Sequence, residues 1–97
     1  MKREEVLRIL HAQQKELIDR YQVAYLSIFG AVVRGESGAH KKIGILVKFS
    51  RPTRFLQFLD LKKHLETLLG CEVEIGKPEA LLPKFRTLIL QEAVRVF

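Results

Sequence analysis

The first thirty residues change from a helical to a strand-like pattern of hydrophobic positions. In residues 3–21 the apolar side chains recur at steps of three and four, with Lys, Glu, Gln and Arg between them, which predicts one amphipathic helix. Residues 23–29 are rich in β-branched and aromatic side chains and contain neither Gly nor Pro, so they predict a buried strand. The apolar positions of the helix are Val6, Leu7, Leu10, Leu17, Ile18 and Tyr21.

A glycine-bounded segment and a polar loop connect this strand to a second one. Gly30 and Gly35 enclose a stretch that can hold a turn and a short helix, and residues 36–42 form a polar loop. Residues 43–49 then predict a strand whose side chains alternate between two faces. One face carries Ile43, Ile45 and Val47, and the other carries Gly44, Leu46 and Lys48.

The second half of the chain predicts a helix, a short strand and a final helix. Thr53 is the expected N-cap of a helix that ends at Leu69, with Gly70 as its stop. Residues 71–75 predict a third strand. The first of these helices has a wide apolar face, formed by Phe55, Phe58, Leu59, Leu61, Leu65, Leu68 and Leu69.

The last helix is introduced by prolines. Pro78 and Pro83 can each occupy the first turn of a helix, because the missing N–H of proline costs nothing there. One stripe of this helix is expected to carry Phe85, Leu88, Ile89, Glu92 and Ala93.

This order of elements predicts an α+β fold with two layers. Helices pack on one small mixed sheet of three strands, since helical and strand patterns alternate along the chain. The first two strands are joined by a short connection and are expected to pair antiparallel. We expect residues 1–97 to form a single domain.

Composition narrows the class of protein without naming a function. The net charge of +6 favours a polyanionic or acidic partner. Cys71 is the only cysteine, which excludes an internal disulfide, and we expect it to be a small buried residue. His11, His40 and His64 match no metal-ligand spacing. No apolar run approaches the roughly 18 residues of a membrane span, so we expect a cytoplasmic protein without membrane contact.

Four segments resemble one known family in the same order. Residues 30–35 read GAVVRG, which resembles the G-S-x-A-R-G opening of the minimal nucleotidyltransferases, members of the DNA polymerase β-type superfamily. Residues 41–47 read KKIGILV where that family has S-D-x-D followed by two hydrophobic residues and Val. Residues 61–75 (LKKHLETLLGCEVEI) and 77–97 (KPEALLPKFRTLILQEAVRVF) resemble its third strand region and its ending. The resemblance implies a polymerase β palm-like fold.

The resemblance also implies a chemistry. In the family, the glycine turn lets backbone N–H groups approach a triphosphate, and its serine adds a hydroxyl contact. Two aspartates spaced D-x-D project from one side of a strand and bind Mg²⁺ together with a third carboxylate from the next strand. The metal ions neutralise phosphate charge and activate the attacking hydroxyl, and the outcome is nucleotidyl transfer from a nucleoside triphosphate.

The chain departs from the family pattern at the residues that carry this chemistry. Ala31 stands at the serine position, Lys42 at the first aspartate and Gly44 at the second, and only Glu74 keeps the third carboxylate. We therefore expect no catalytic residues, no metal site and no cofactor, with Mg²⁺ and ATP used only if residual activity survives. Glu72 lies two residues before Glu74 and would share its strand face, which is an exposed face in the simplest interpretation.

Two interpretations of the lysines stay open. In one, the pocket is inactive and the lysines are solvated loop residues. In the other, Lys42 replaces the metal and the loop still holds a phosphate. The second interpretation assigns phosphate binding to Gly30, Ala31, Arg34, Gly35, Lys41 and Lys42. Aspartates at positions 42 and 44 would lower the net charge from +6 to +3, so the extra positive charge is expected where the family holds metal.

Three candidate functions follow, two implied by the resemblance and the third suggested by the positive charge. The first is a degenerate minimal nucleotidyltransferase that acts like an antitoxin by binding a helical HEPN-type ribonuclease, with homo-oligomers also open, and with residues 88–97 as a contact surface or as a helix covering the sheet. The second is a residual enzyme that transfers AMP from ATP to a protein. The third is a metal-independent nucleotide- or nucleic-acid-binding module, which the lack of exposed aromatics disfavours because Phe55, Phe58 and Phe85 are expected in the core.

Overall fold

A computed structural model of the chain describes residues 1–36 and 42–97. The helices are α1 (Arg3–Ala12), α2 (Gln14–Tyr21), α3 (Phe55–Leu69) and α4 (Pro83–Glu92), with a 3₁₀ turn at Pro78–Ala80. The strands are β1 (Val23–Phe29), β2 (Ile43–Phe49), β3 (Val73–Gly76) and β4 (Val94–Arg95). The α+β prediction is confirmed.

The sheet has four strands in the order β3-β2-β1-β4, not the three that the sequence predicted. β1 pairs antiparallel with β2, as expected, and β2 pairs parallel with β3, so the sheet is mixed. The extra strand is β4, which pairs antiparallel with β1. The final helix was predicted to include Ala93, but it ends at Glu92 and the chain turns extended to complete the sheet edge.

The core lies between the sheet and the first three helices. Its helical contributions come at the predicted spacing of three and four residues, and its strand contributions come from alternate positions of β1 and β2. Burying this many aliphatic side chains is the main favourable term in folding. The fully buried helical residues are Val6, Leu10, Leu17, Leu61 and Leu65, and those of the strands are Val23, Leu26, Ile28, Ile45, Val47 and Val73.

Several local predictions need correction. The helix predicted over residues 3–21 is divided at Gln13, where the chain makes one turn between α1 and α2. The N-cap of α3 is Arg54, while the Thr53 hydroxyl donates to the Arg51 carbonyl oxygen. β3 begins two residues after Cys71. The short helix predicted after Gly30 is a set of hydrogen-bonded turns.

The predicted apolar face of α3 is wider than the face that packs. Phe55 is 73% exposed and Phe85 of α4 is 47% exposed, so neither belongs to the core, and Phe58 is half-buried beside Phe49. Only the stripe of α3 that faces the sheet is buried, and the first turn of the helix extends beyond it. At the C-terminus, in contrast, Val96 and Phe97 pack against the core. Among the helices of residues 1–36 and 42–97, none combines the length and the hydropathy of a membrane-spanning segment.

Candidate functional site

The glycine turn after β1 has the geometry that its sequence suggests. Gly30 and Gly35 both adopt positive φ angles, +85° and +75°, which residues other than glycine rarely adopt. Between them the Val33 N–H donates to the Gly30 carbonyl oxygen at 3.0 Å, and the Glu36 N–H donates to the Ala31 carbonyl oxygen at 2.9 Å. The turn therefore has the tight backbone that could bring N–H groups close to an anion.

A carboxylate of the chain itself already contacts this turn. The N–H of Gly30 donates to Glu92 Oε1 at 3.0 Å, and the Arg34 guanidinium donates to the same oxygen. Glu92 is the last residue of α4, so this contact ties the end of that helix to the end of β1. A phosphate approaching Gly30 would have to displace Glu92 from the amide.

Arg34 is engaged on two sides. Its Nε donates to Glu36 Oε2 at 3.2 Å, and its Nη1 contacts Glu92. The hydrogen bond to Glu36, together with the charge of Glu92, raises the pKa of Arg34 above its usual value. Three of the six predicted phosphate-binding residues thus already contact internal carboxylates: Gly30, Arg34 and, through Glu72, Lys42. Lys41 lies outside the described residues.

The three positions that correspond to the family carboxylates come together at the neighbouring strands. Gly44 of β2 is the register partner of Glu74 of β3, and Lys42 immediately precedes β2. The alignment by resemblance therefore agrees with the topology, because the parallel register places positions 44 and 74 side by side. At these positions Lys42 supplies an ammonium group, Gly44 has no side chain and Glu74 supplies an exposed carboxylate.

Position 44 has no room for a side chain. A Cβ atom added to Gly44 would lie 2.7 Å from the Phe29 carbonyl oxygen and 2.8 Å from two carbons of the Phe29 ring. Phe29 is the cross-strand partner of Gly44, and its ring covers the glycine as aromatic residues do in other sheets. The space that an aspartate would use is filled by this ring.

Lys42 forms an ion pair of its own. Its Nζ lies 3.9 Å from Glu72 Oε2, with the two side chains 55% and 75% exposed. Exposed pairs of this kind contribute little to stability, and the pair leaves Lys42 accessible. Around the turn, four carboxylates (Glu36, Glu72, Glu74 and Glu92) stand near three described cations, Arg3, Arg34 and Lys42. Because Lys41 lies outside the described residues, the expected concentration of positive charge at this end stays a prediction.

These residues do not fit a site for two magnesium ions. Mg²⁺ prefers carboxylate, phosphate and water oxygens in octahedral geometry, and positions 42, 44 and 74 supply a single carboxylate. In residues 1–36 and 42–97, no group of three His, Cys, Asp or Glu side chains could hold a metal ion. Glu72, the possible substitute ligand, has the Lys42 ammonium 3.9 Å from its carboxylate, and that positive charge disfavours a metal ion beside it.

Cys71 lies close to this end of the sheet but is half-buried rather than fully buried. Burial raises the pKa of its thiol, and the negative charge of Glu66 adds to the shift. A thiol with a raised pKa is a weak nucleophile near neutral pH. The structural role that the sequence suggested for Cys71 agrees with this environment.

The sequence did not reveal that Glu92 contacts the glycine turn. This residue was placed on the stripe of the last helix without a role, although a single carboxylate among apolar residues was a signal that it meets a polar group. A basic groove at the opposite end of the β1–β2 pair was also missed, because its residues come from three separate segments.

Comparison with known proteins gives the family. The chain is 37% identical to the protein adenylyltransferase MntA of Thermococcus cleftensis over 93 residues, which cover 96% of this chain and 94% of that protein. A solved structure described as a proposed minimal nucleotidyltransferase is 33% identical and superimposes with a TM-score of 0.79, covering 97% of this chain and 95% of that chain. No family model matches the sequence.

A more distant structural match concerns a complex. The MNT antitoxin bound to a tri-AMPylated HEPN toxin of Shewanella oneidensis matches with a TM-score of 0.64. The identity is 11%, and the match covers 94% of this chain and 71% of that one, so it bears on the fold alone. With the identity to MntA, the matching topology and the glycine turn in register with positions 44 and 74, this chain belongs to the family of minimal nucleotidyltransferases, the MntA-like protein adenylyltransferases.

Proposed function

We propose that this chain acts by binding a helical HEPN-type protein, as an antitoxin does, and that it no longer transfers nucleotide to that partner. The observation that carries the proposal is the packing at Gly44, where the Phe29 ring and carbonyl occupy the space of the second family aspartate. Lys42 at the first aspartate position adds a positive charge that would repel the metal ion.

The partner class follows from the family. An MNT antitoxin with this fold is in complex with a HEPN toxin, and binding of this kind needs a complementary surface but no metal ion. Exposed apolar residues at the start of α4 and on it offer contact area for a helical protein, among them the N-cap residue Leu82 and the helical residues Phe85 and Leu88, at steps of three residues. A chain without the metal ligands could therefore still bind a HEPN-type protein, although it could not modify it.

Adenylyl transfer is the second candidate, and the identity to MntA of Thermococcus cleftensis favours it. Under this candidate the chain would use ATP and Mg²⁺, and Glu74 would be the one family carboxylate left to hold the metal. Two observations weigh against this candidate. Lys42 and Gly44 replace two of the three family carboxylates, and the Phe29 ring and carbonyl oxygen fill the space beside position 44.

The two candidates separate in one experiment with a purified HEPN-type ribonuclease as the candidate partner. Ribonuclease activity of that protein is measured with and without an equimolar amount of this chain in EDTA, and its mass is measured after incubation with ATP and Mg²⁺. We expect inhibition in EDTA and no mass increase. A mass increase of one AMP that disappears with Glu74→Ala would establish transfer, and a lack of any complex would overturn the binding function.

A further inference from the structure

A groove lies between the end of α2, the β2–α3 connection and one face of α3. Its volume is about 890 Å³, within the range of about 300–1,000 Å³ of pockets that hold small ligands. Four residues of α3 at helical spacing, Gln57, Asp60, His64 and Thr67, form one wall. The remaining lining residues are Arg20, Tyr21, Gln22, Arg51, Pro52, Thr53, Arg54 and Lys63.

The groove carries an excess of positive charge. Four cationic side chains line it against one carboxylate, that of Asp60. Arg51 donates from Nε to Gln22 Oε1 at 2.7 Å, and this neutral amide holds the guanidinium in place without cancelling its charge. Arg54 and Lys63 have no carboxylate within ion-pair distance in the described part of the chain, and only Arg20 is paired, with Glu16 at 3.2 Å.

The start of α3 adds to the same sign of potential. Its N-cap residue, Arg54, presents a guanidinium, which donates hydrogen bonds but cannot accept one from the helix N–H groups. The first turn of the helix contains no acidic residue. The positive end of the helix dipole therefore meets cationic side chains rather than the carboxylates that usually stabilise it.

Planar groups stand beside these cations. The rings of Tyr21 and His64 stack with their centroids 4.9 Å apart, and the guanidinium carbon of Arg20 lies 5.3 Å from the Tyr21 centroid. Cations next to flat side chains are the combination that binds phosphates and bases of nucleotides and of single-stranded nucleic acids.

The groove is separate from the glycine turn. β1 and β2 run antiparallel, and their Val23–Phe49 pair lies at the groove end while their Phe29–Gly44 pair lies at the turn end. Seven strand residues span about 20 Å at roughly 3.4 Å per residue. A ligand in the groove would leave the positions that correspond to the family carboxylates untouched.

We propose that this groove binds phosphate groups of a nucleic-acid strand or a free nucleotide, through Arg51, Arg54 and Lys63, without a metal ion. The site does not depend on whether the chain transfers nucleotide or binds a HEPN-type protein. It gives a role to three cations of one cavity that have no carboxylate partner among the described residues.

The test is fluorescence anisotropy of a short labelled single-stranded RNA at low salt in EDTA, with ATP as competitor. The variant is Arg54→Gln with Lys63→Gln, since neither side chain makes a polar contact that holds the described fold. The charge-matched control is Lys2→Gln with Arg8→Gln, both exposed residues of the α1 region. Arg51→Gln is a second groove variant, and thermal melts verify that all three are folded.

We expect the groove pair to weaken RNA binding about tenfold and the control pair less than about twofold. In the groove pair, the plot of the logarithm of the RNA association constant against the logarithm of salt concentration should be less steep by about 1.4, because two phosphate contacts with a single strand are lost. Competition by ATP at similar concentration would identify nucleotides as the source of the phosphate, and its absence would identify the polymer. Equal losses in both pairs, or no binding of RNA or ATP by the unaltered chain, would overturn the proposal.

Discussion

The two ends of the β1–β2 pair differ in how far their cationic side chains are paired with carboxylates. At the turn end, the cations Arg34 and Lys42 each contact carboxylates, and the described acidic groups outnumber them. At the groove end, four cations line one cavity with a single carboxylate. Both ends contribute to the net charge of +6, but three cations of the groove have no carboxylate partner among the described residues, whereas Arg34 and Lys42 each have one. The net charge of a sequence therefore does not show which cations lack a partner, whereas the structure does.

The same comparison separates the end of the sheet that carries the family motifs from the end that does not. The turn end keeps the glycine backbone and the strand register of the minimal nucleotidyltransferases. Its side chains are replaced or engaged by neighbours, as Glu92 engages Gly30. The groove has no counterpart among the motifs that identify the family.

The largest predicted effect concerns the crowded glycine at the turn end. Gly44→Ala should lower the free energy of unfolding by about 2 kcal/mol, because its Cβ would press on the Phe29 backbone and ring. Chemical denaturation followed by circular dichroism measures this loss.

Gly76→Ala provides the matched control for that measurement. A Cβ there would meet only Leu46 and Leu81 methyl carbons, at 3.9 Å and 4.0 Å, so the change should stay within about 0.5 kcal/mol. If Gly44→Ala were as mild as Gly76→Ala, position 44 could accept a side chain and the argument against an aspartate there would fail.

A smaller effect is expected from the carboxylate that contacts the turn. Glu92→Ala removes the acceptor of the Gly30 N–H, and loss of that hydrogen bond should cost about 1 kcal/mol. Because it also releases the amide, the variant should bind inorganic triphosphate more tightly than the unaltered chain in isothermal titration. Glu79→Ala, an exposed acid near α4, is the control and should change neither quantity. Equal triphosphate affinity in both variants would show that Glu92 does not block the turn.

The smallest effect concerns the exposed ion pair at the turn end. In a double-mutant cycle of Lys42→Ala and Glu72→Ala, the coupling free energy should be no more than about 0.5 kcal/mol, since both side chains are mostly in solvent. A coupling well above about 1 kcal/mol would mean that Lys42 is fixed by its partner and is not free to meet a ligand.

Much of the fold could be predicted because its signals are local. The core stripes of α1 and α3 and the alternation in β2 follow directly from the spacing of apolar residues. β4 escaped prediction since its two residues are too few to show a period, and its strand geometry depends on β1 beside it. Phe55 was misplaced because an apolar residue on a helix is buried only where another element covers it.

The candidate site was predictable to the extent that it repeats a family motif. The glycine turn and the three corresponding positions were located by resemblance, and the register of β2 with β3 agrees. The contact between Gly30 and Glu92 joins residues 62 positions apart, which no local pattern reveals. The groove likewise draws Arg20, Arg51 and Lys63 from different segments, and only the fold brings them together.

The most direct test of the contrast between the two ends is a chemical-shift titration of the ¹⁵N-labelled chain with a short single-stranded RNA in the presence of Mg²⁺. We predict that the backbone amides of Gln22, Arg54 and Thr67 shift as RNA is added, while those of Gly30 and Gly44 stay in place. Shifts centred on Gly30 and Gly44, with the groove amides unmoved, would contradict the account and return phosphate binding to the glycine turn.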